Sequence, residues 1–226
     1  MAAASHRLCV SESQRRLLAS LGAFDQRAVE VSPIGINPPA GGAPPAPPGS
    51  DRLRIVNWAG LDPRKGPQRL VEAVAGSVHR DRFRLRFHGR HGEADFMREL
   101  ARLGDGLDLE FPGPFEDDDR RQFAAESDLA VFPFLAFETY GLVVDEALHL
   151  GLPVVVPNHG APAERVGERG CVVARDDVLA LRQALEALHA SPERLLTMRR
   201  APHLAGTLAA HFGHLATRYQ ELLEDA

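Results

Sequence analysis

The sequence predicts an α/β protein, a Rossmann-like doubly wound parallel sheet with helices on both faces. Three observations carry that prediction. Short apolar runs alternate with helical patterns from residue 51 onward. The stretches between successive runs are long enough for a crossover helix. Three of the six runs, at 129–134, 154–157 and 171–174, are apolar throughout, as strands covered on both faces are.

The expected strands are 53–58, 83–87, 107–111, 129–134, 154–157 and 171–174. Helical patterns lie between them at 67–77, 93–103, 116–126, 141–150 and, more weakly, 161–166. One strand differs from the others. Arg82-Phe-Arg-Leu-Arg-Phe87 alternates charged and apolar residues, which suits a strand with one poorly covered face. Two more helices, 177–190 and 193–223, close the chain, the second broken near Pro202. Residues 38–50 read PPAGGAPPAPPGS, a Pro/Gly-rich linker or loop with almost nothing to contribute to a core. Before it, strand 8–10, helix 13–21 closed by Gly22, and strand 28–31 form a β-α-β fragment with no sheet of its own. The expected organisation is therefore a fragment at 1–37, a linker at 38–50 and a Rossmann-like domain at 51–226.

Composition narrows the function classes. The chain has 226 residues and a formal net charge of −5, which argues against nucleic acid or an anionic membrane surface as the main partner. The two cysteines, Cys9 and Cys171, stand in no metal-ligand or C-x-x-C spacing, and a reducing cytoplasm is the expected compartment. No apolar stretch approaches the roughly 20 residues of a membrane helix. Lys65 is the only lysine in the chain. In a background so biased toward arginine, a retained lysine suggests a need for a compact point charge.

In open parallel sheets ligands sit outside the carboxyl ends of the strands. Two loops there carry the chemistry. After the fourth expected strand of the domain, a helix begins near Gly141, and the amides of Gly141, Leu142 and Val143 at its positive end make a phosphate site. Glu138 precedes that helix start and Glu146 follows it, eight residues apart. At 1.5 Å per residue this is on the order of 10–12 Å, about the reach from a sugar to a ribose across a diphosphate. Carboxylates accept from vicinal hydroxyls, so the pair suits a nucleotide sugar. After the first strand of the domain, Lys65 opens the next helix beside the same phosphate position.

Other constellations read more plainly. Asp117-Asp-Asp119 contains a D-x-D, but at a helix start, where acidic residues favour the dipole. His211 and His214 lie one turn apart with no third ligand, and a surface or interdomain role is expected rather than metal. His88 and His91 flank Gly89 in a loop at a carboxyl end, facing either ligand or solvent. No metal site and no cofactor are expected.

The stretch Phe137-Glu-Thr-Tyr-Gly-Leu-Val-Val-Asp-Glu-Ala147, with Gly151-Leu-Pro-Val-Val155 after it, resembles the E-x7-E signature of retaining GT-B glycosyltransferases, group 1 (family 4). Leu61-Asp-Pro-Arg-Lys-Gly66 is similar to that family's G-R-L-x-x-x-K-G loop, and His159-Gly-Ala-Pro-Ala-Glu-Arg-Val166 to its G-G-x-x-E-x-V turn. The resemblance implies that Lys65 binds the donor diphosphate and stabilises the leaving group, and that Glu138 contacts the transferred sugar. It also implies that the amides of Gly141, Leu142 and Val143 hold sugar and phosphates, that Glu146 binds the ribose hydroxyls, and that Phe115 helps to build the base pocket. Retention in the family is attributed to front-face attack assisted by the leaving phosphate, so no nucleophilic side chain is sought.

Two departures stand out. Gly60 occupies the position of the family arginine five residues before the lysine, with Arg64 and Arg90 as possible stand-ins. The resemblance also implies that the chain supplies only the donor-binding half of such an enzyme, since Cys9-Val-Ser-Glu-Ser-Gln14 resembles the last segment of the acceptor domain. The resemblance thus implies a nucleoside-diphosphate-sugar donor and an acceptor domain, in the full-length chain or as a separate subunit. The apolar face of Leu17, Leu18 and Leu21 should then lack cover and promote self-association. The second reading is a non-catalytic nucleotide-sugar-binding or partner-subunit module of a split transferase. A nucleotide-sugar 2-epimerase shares the fold, but the E-x7-E pattern favours transfer.

Overall fold

The computed structural model describes residues 7–22, 25, 27, 29–37, 43–44, 49–202 and 206–224. Most of the expected linker, residue 28 of the second expected strand, and residues 203–205 lie outside the described residues. The chain contains β1 (Leu8–Cys9), α1 (Glu12–Ser20) and β2 (Glu30–Val31), followed by β3 (Leu53–Asn57) and α2 (Pro67–Ala75). Next come β4 (Phe83–His88), α3 (Ala94–Leu103), β5 (Asp108–Gly113), α4 (Asp119–Glu126) and β6 (Leu129–Val131). The remainder is α5 (Leu142–His149), β7 (Val154–Pro157), α6 (Pro162–Arg165), β8 (Gly170–Val173), α7 (Val178–His189), α8 (Pro192–Arg200) and α9 (Leu208–Glu224).

Six parallel strands form one sheet in the order β5-β4-β3-β6-β7-β8. The chain winds outward from β3 to β5, then returns to β6 beside β3 and winds the other way. That reversal opens a crevice at the carboxyl ends of β3 and β6. Alternate strand residues feed two cores, because successive side chains point to opposite faces. Ile55, Leu129, Val131 and Val155 pack with Leu70, Val71, Leu100 and Leu185 on one face. Val56, Ala130, Val154 and Val156 pack with Phe123, Val144, Ala147 and Leu148 on the other.

The dissenting strand behaves as its alternation requires. Phe83, Leu85 and Phe87 are buried in the first core. Arg84 and Arg86 point the other way and pair with Glu110 of β5 at 2.7 and 3.1 Å, and Arg86 also with Glu126 at 2.6 Å. Two expected boundaries shift. The strand expected to run to residue 134 ends at Val131, before Pro133, which cannot donate to a ladder. The helix expected from 116 begins at Asp119, while the Asp119 carboxylate folds back to accept the Glu116 amide at 2.9 Å.

The segment before the linker does build a sheet, though a minimal one: β1 and β2 pair in parallel. Residues from beyond the six-stranded sheet complete it. Arg218 of α9 pairs with Glu30 at 2.8 Å, His214 with the same carboxylate at 3.1 Å, and His211 Nδ1 lies 3.2 Å from Ser32 Oγ. Ile36 and Thr207 form a parallel bridge. Among the described residues α1 and α9 bury no side chain fully, and Leu21, Phe212, Tyr219 and Leu223 are exposed. No helix among the described residues is long and apolar enough to cross a membrane.

Candidate donor site

The loops after β3 and β6 are fitted to each other before any ligand is considered. After β3, the Asp62 carboxylate accepts the Arg64 amide at 2.8 Å and starts a short 3-10 turn, Pro63–Lys65. Gly66 ends that turn at φ +76°, where the backbone is so close to the other loop that a Cβ would stand 2.0 Å from the Pro133 carbonyl oxygen. Only glycine fits both constraints. The carbonyl of Arg64 then accepts the amides of Leu135 and Ala136 at 2.9 and 3.0 Å. The second loop therefore runs beside the first, and Lys65 Nζ meets Glu138 Oε1 at 2.5 Å. The ammonium also lies 5.4 Å from the Phe134 ring centroid. Both partners are largely withdrawn from water, with 33% of the Lys65 side chain and 16% of the Glu138 side chain exposed, so their attraction is weakly screened.

A cavity of about 290 Å³ opens over this pair, lined by Lys65, Phe134, Glu138, Tyr140 and the first turn of α5, Gly141, Leu142 and Val143. Among the described residues no side chain caps α5. Its first-turn amides therefore stay available to an anion. Five of the seven site residues expected from the sequence, Lys65, Glu138, Gly141, Leu142 and Val143, meet on this one cavity.

Glu146 and Phe115 lie outside its walls, one turn further along α5 and across on the loop after β5. Arg120 joins them: its guanidinium stands 5.6 Å over the Phe115 ring, and its Nε lies 3.4 Å from Glu146 Oε2. Trp58 Nε1 donates to the same oxygen at 3.0 Å. Phe115 meets Phe123 edge-on, with ring centroids 5.4 Å apart. Of the two loop histidines expected to face ligand or solvent, one does not face solvent. His88 is buried, stacked on Phe123 with centroids 3.5 Å apart, and burial pushes its pKa down. His91 is exposed.

The arginine position of the family signature is closed to a simple replacement. Gly60 adopts φ +94°, a conformation that L side chains rarely take, with open space around it. Arg64 does not stand in for the missing cation. Its guanidinium is committed to Asp62 at 2.7 Å and is 79% exposed, and Asp62 is in turn held down to about 2 by those hydrogen bonds. Arg90 is exposed in the loop after β4.

The segment before the linker reaches the same site. Ile34 lines the cavity. Ser11 Oγ donates to the Thr139 carbonyl at 2.7 Å, and the Gly35 amide donates to the Tyr140 hydroxyl at 2.9 Å. Glu164 of α6 accepts the Glu12 and Ser13 amides at the start of α1, at 3.2 and 2.5 Å. Behind the loop, Arg165 pairs with buried Asp145 at 2.8 Å and lies 4.1 Å over the Tyr140 ring. Residues 138–141 are thus held from both sides.

Sequence reasoning missed Trp58, Arg120 and the contacts of Glu164. Trp58 carried a signal, being the only tryptophan and placed at a strand's carboxyl end. Arg120 carried none, since one arginine among many on a helix reads as a solvated charge. Asp117 pairs with Arg120, and no group of three potential metal ligands occurs among the described residues.

A doubly wound sheet with a cationic side chain, a carboxylate and an open helix start at its switch point places the chain among α/β proteins with an anion-accepting crevice. A profile of "Glycosyl transferases group 1" matches residues 52–191, and the chain belongs to that family. A phosphatidyl-myo-inositol mannosyltransferase of Mycobacterium leprae is 31% identical over 188 residues, which is 80% of this chain and 49% of that protein. The chain thus spans about half the length of this relative. Among solved structures, a glycosyltransferase from Rickettsia africae superposes with a TM-score of 0.75 at 18% identity, covering 98% of this chain and 65% of the other. Anabaena HepE, solved with UDP and glucose, gives a TM-score of 0.71 at 20% identity over 98% of this chain and 62% of its own. At such identities the likeness establishes the fold, that of the GT-B glycosyltransferases.

Proposed function

We propose that this chain is the donor-binding half of a retaining glycosyltransferase that moves a sugar from a nucleoside-diphosphate sugar to an acceptor hydroxyl. The observation that carries the reading is the convergence of Lys65, Glu138 and the uncapped start of α5 on one cavity at the switch point. In the free site Lys65 and Glu138 neutralise each other. A bound diphosphate would take the ammonium and the α5 amides, releasing Glu138 to accept from the sugar hydroxyls. Lys65 would then stabilise the leaving diphosphate as charge develops on it. Glu146 would hold the ribose, and Phe115 one side of the base. Retention of configuration is carried over from the family resemblance, with the leaving phosphate assisting attack from the same face.

The uncovered sides of α1 and α9 are assigned to an acceptor domain, whether in a longer form of the chain or on a separate subunit. That domain would exclude water and position the acceptor, so the chain by itself should transfer sugar poorly. Self-association through the same faces is the expected behaviour in its absence.

Gly60 favours a second reading, a nucleotide-sugar-binding or partner-subunit module without catalysis, since one phosphate cation of the family signature is absent and Arg64 does not replace it. Calorimetric titration with UDP, GDP, ADP and TDP separates the two from a third outcome. Saturable binding of one nucleotide, weakened in Glu146→Ala, supports a working donor site; transfer from the matching nucleotide sugar once an acceptor domain is supplied selects catalysis. Binding without transfer selects the module, and no binding removes the donor-site reading.

A further inference from the structure

Resting on the donor-site reading, we infer that Trp58 and Arg120 are positioning residues. They fix Glu146 so that one carboxylate oxygen faces the ribose, and they thereby set a preference for ribonucleotides over deoxy analogues. Trp58 follows the last residue of β3 and is almost fully buried. Its ring is held edge-on against Phe132, centroids 5.4 Å apart, and tilted against Phe123 at 6.3 Å. An indole so packed has one place to put its N–H, and that place is Glu146 Oε2, 3.0 Å away. Arg120 approaches the same oxygen from α4. Its Nη2 is tied to Asp117 and its plane lies over Phe115, while its buried Nε makes no hydrogen bond among the described residues and stands 3.4 Å from Oε2.

The indole thus donates to Oε2 and the Arg120 charge attracts the same oxygen, whereas no hydrogen bond or ion pair to Oε1 occurs among the described residues. A free glutamate carboxyl turns through a broad, roughly two-fold range about its last bond. A donor and a positive charge on one oxygen restrict that freedom and leave the other as the acceptor presented to a ligand. Ribose hydroxyls must donate to a carboxylate, so they are met by a preorganised oxygen. A sugar lacking a hydroxyl leaves that half-buried charge short of a partner.

The test uses the whole chain and calorimetry with UDP, GDP and ADP, then the 2′-deoxy and 3′-deoxy forms of whichever binds best. The wild-type protein should favour the ribonucleotide over at least one deoxy form by about tenfold or more. Trp58→Phe keeps the ring and removes the donor; Arg120→Met keeps the stem and removes the guanidinium. Each should cut the preference at least about threefold by weakening the ribonucleotide while the deoxy affinity holds. Arg120 belongs to neither apolar core and methionine keeps its stem, so its variant carries the test if Trp58→Phe does not fold. Equal loss for both ligands would mean a merely structural role and overturns the inference. A preference kept in both variants but abolished in Glu146→Gln overturns it while leaving the donor site intact. Failure of the wild-type chain to bind any of the three nucleotides overturns the donor-site reading and this inference together.

Discussion

The two ends of the six-stranded sheet differ in a way that cavity size alone would misjudge. At the amino ends lies the larger hollow, about 480 Å³, bounded by Gly49, Arg52, Arg82, Asp128, His189 and Leu196 among others. Its charges are already spent on each other. Arg52 pairs with Asp108 at 2.7 Å, Arg82 with Asp51 at 2.8 Å, and Asp128 with Arg54 at 2.9 Å. Arg199 donates to the carbonyls of Ser127 and Ala124. At the carboxyl ends the hollow is about 290 Å³ but contains helix amides without a side-chain cap and one ion pair that an anion can exchange. Parallel strands produce this asymmetry: every crossover delivers a helix start to the carboxyl end, with its N–H groups unsatisfied. What marks a site is polar capacity left over after folding, and volume is secondary.

The largest expected contrast between the ends is in stability. Gly66→Ala places a Cβ against the Pro133 carbonyl at positive φ and should cost about 3 kcal/mol or more in urea denaturation, whereas Gly49→Ala meets nothing and should stay within about 0.5 kcal/mol. An equal effect at both would mean that the carboxyl-end loops are not fitted as described.

Next comes nucleotide affinity. Lys65→Ala should weaken binding by about 10- to 100-fold in calorimetry, and Arg82→Ala at the opposite end should leave it unchanged. Lys65→Arg sharpens the point. It keeps the charge but not the compact ammonium, so unchanged affinity would end the argument from the single lysine.

A smaller effect is expected from pH. Burial holds His88 below the ordinary histidine value of 6.5. The unfolded chain therefore binds a proton there that the folded chain does not. The contribution of His88 is complete above about pH 6.5 and is lost as the pH falls below it. The urea midpoint should drop between pH 7.5 and 5.5, and His88→Phe should flatten that drop. The smallest effect is expected at Arg64. Its guanidinium is held by Asp62 in solvent, so Arg64→Ala should bind nucleotide as the wild-type chain does. A clear loss would restore it as the substitute for the arginine that Gly60 replaces.

The sequence by itself determined the class of fold, the placement of most strands and helices, and five residues of one cavity. Those follow from short-range physics: apolar runs, crossover lengths, proline and glycine punctuation, and a helix start whose amides are exposed wherever the chain turns. It also exposed the odd strand, because alternation at Arg84 and Arg86 records a face whose arginines are met by the carboxylates of Glu110 and Glu126. Tertiary structure alone decided what depends on distance between remote segments. It set Lys65 against Glu138 through the Arg64 carbonyl, brought Trp58 and Arg120 to one oxygen of Glu146, and buried His88 on Phe123. It also moved α9 away from the large sheet to the short strands before the linker, where Glu30 receives Arg218 and His214. A sequence states which groups can donate, accept or carry charge; only the folded chain states which of them are already satisfied, and the unsatisfied remainder is what can bind.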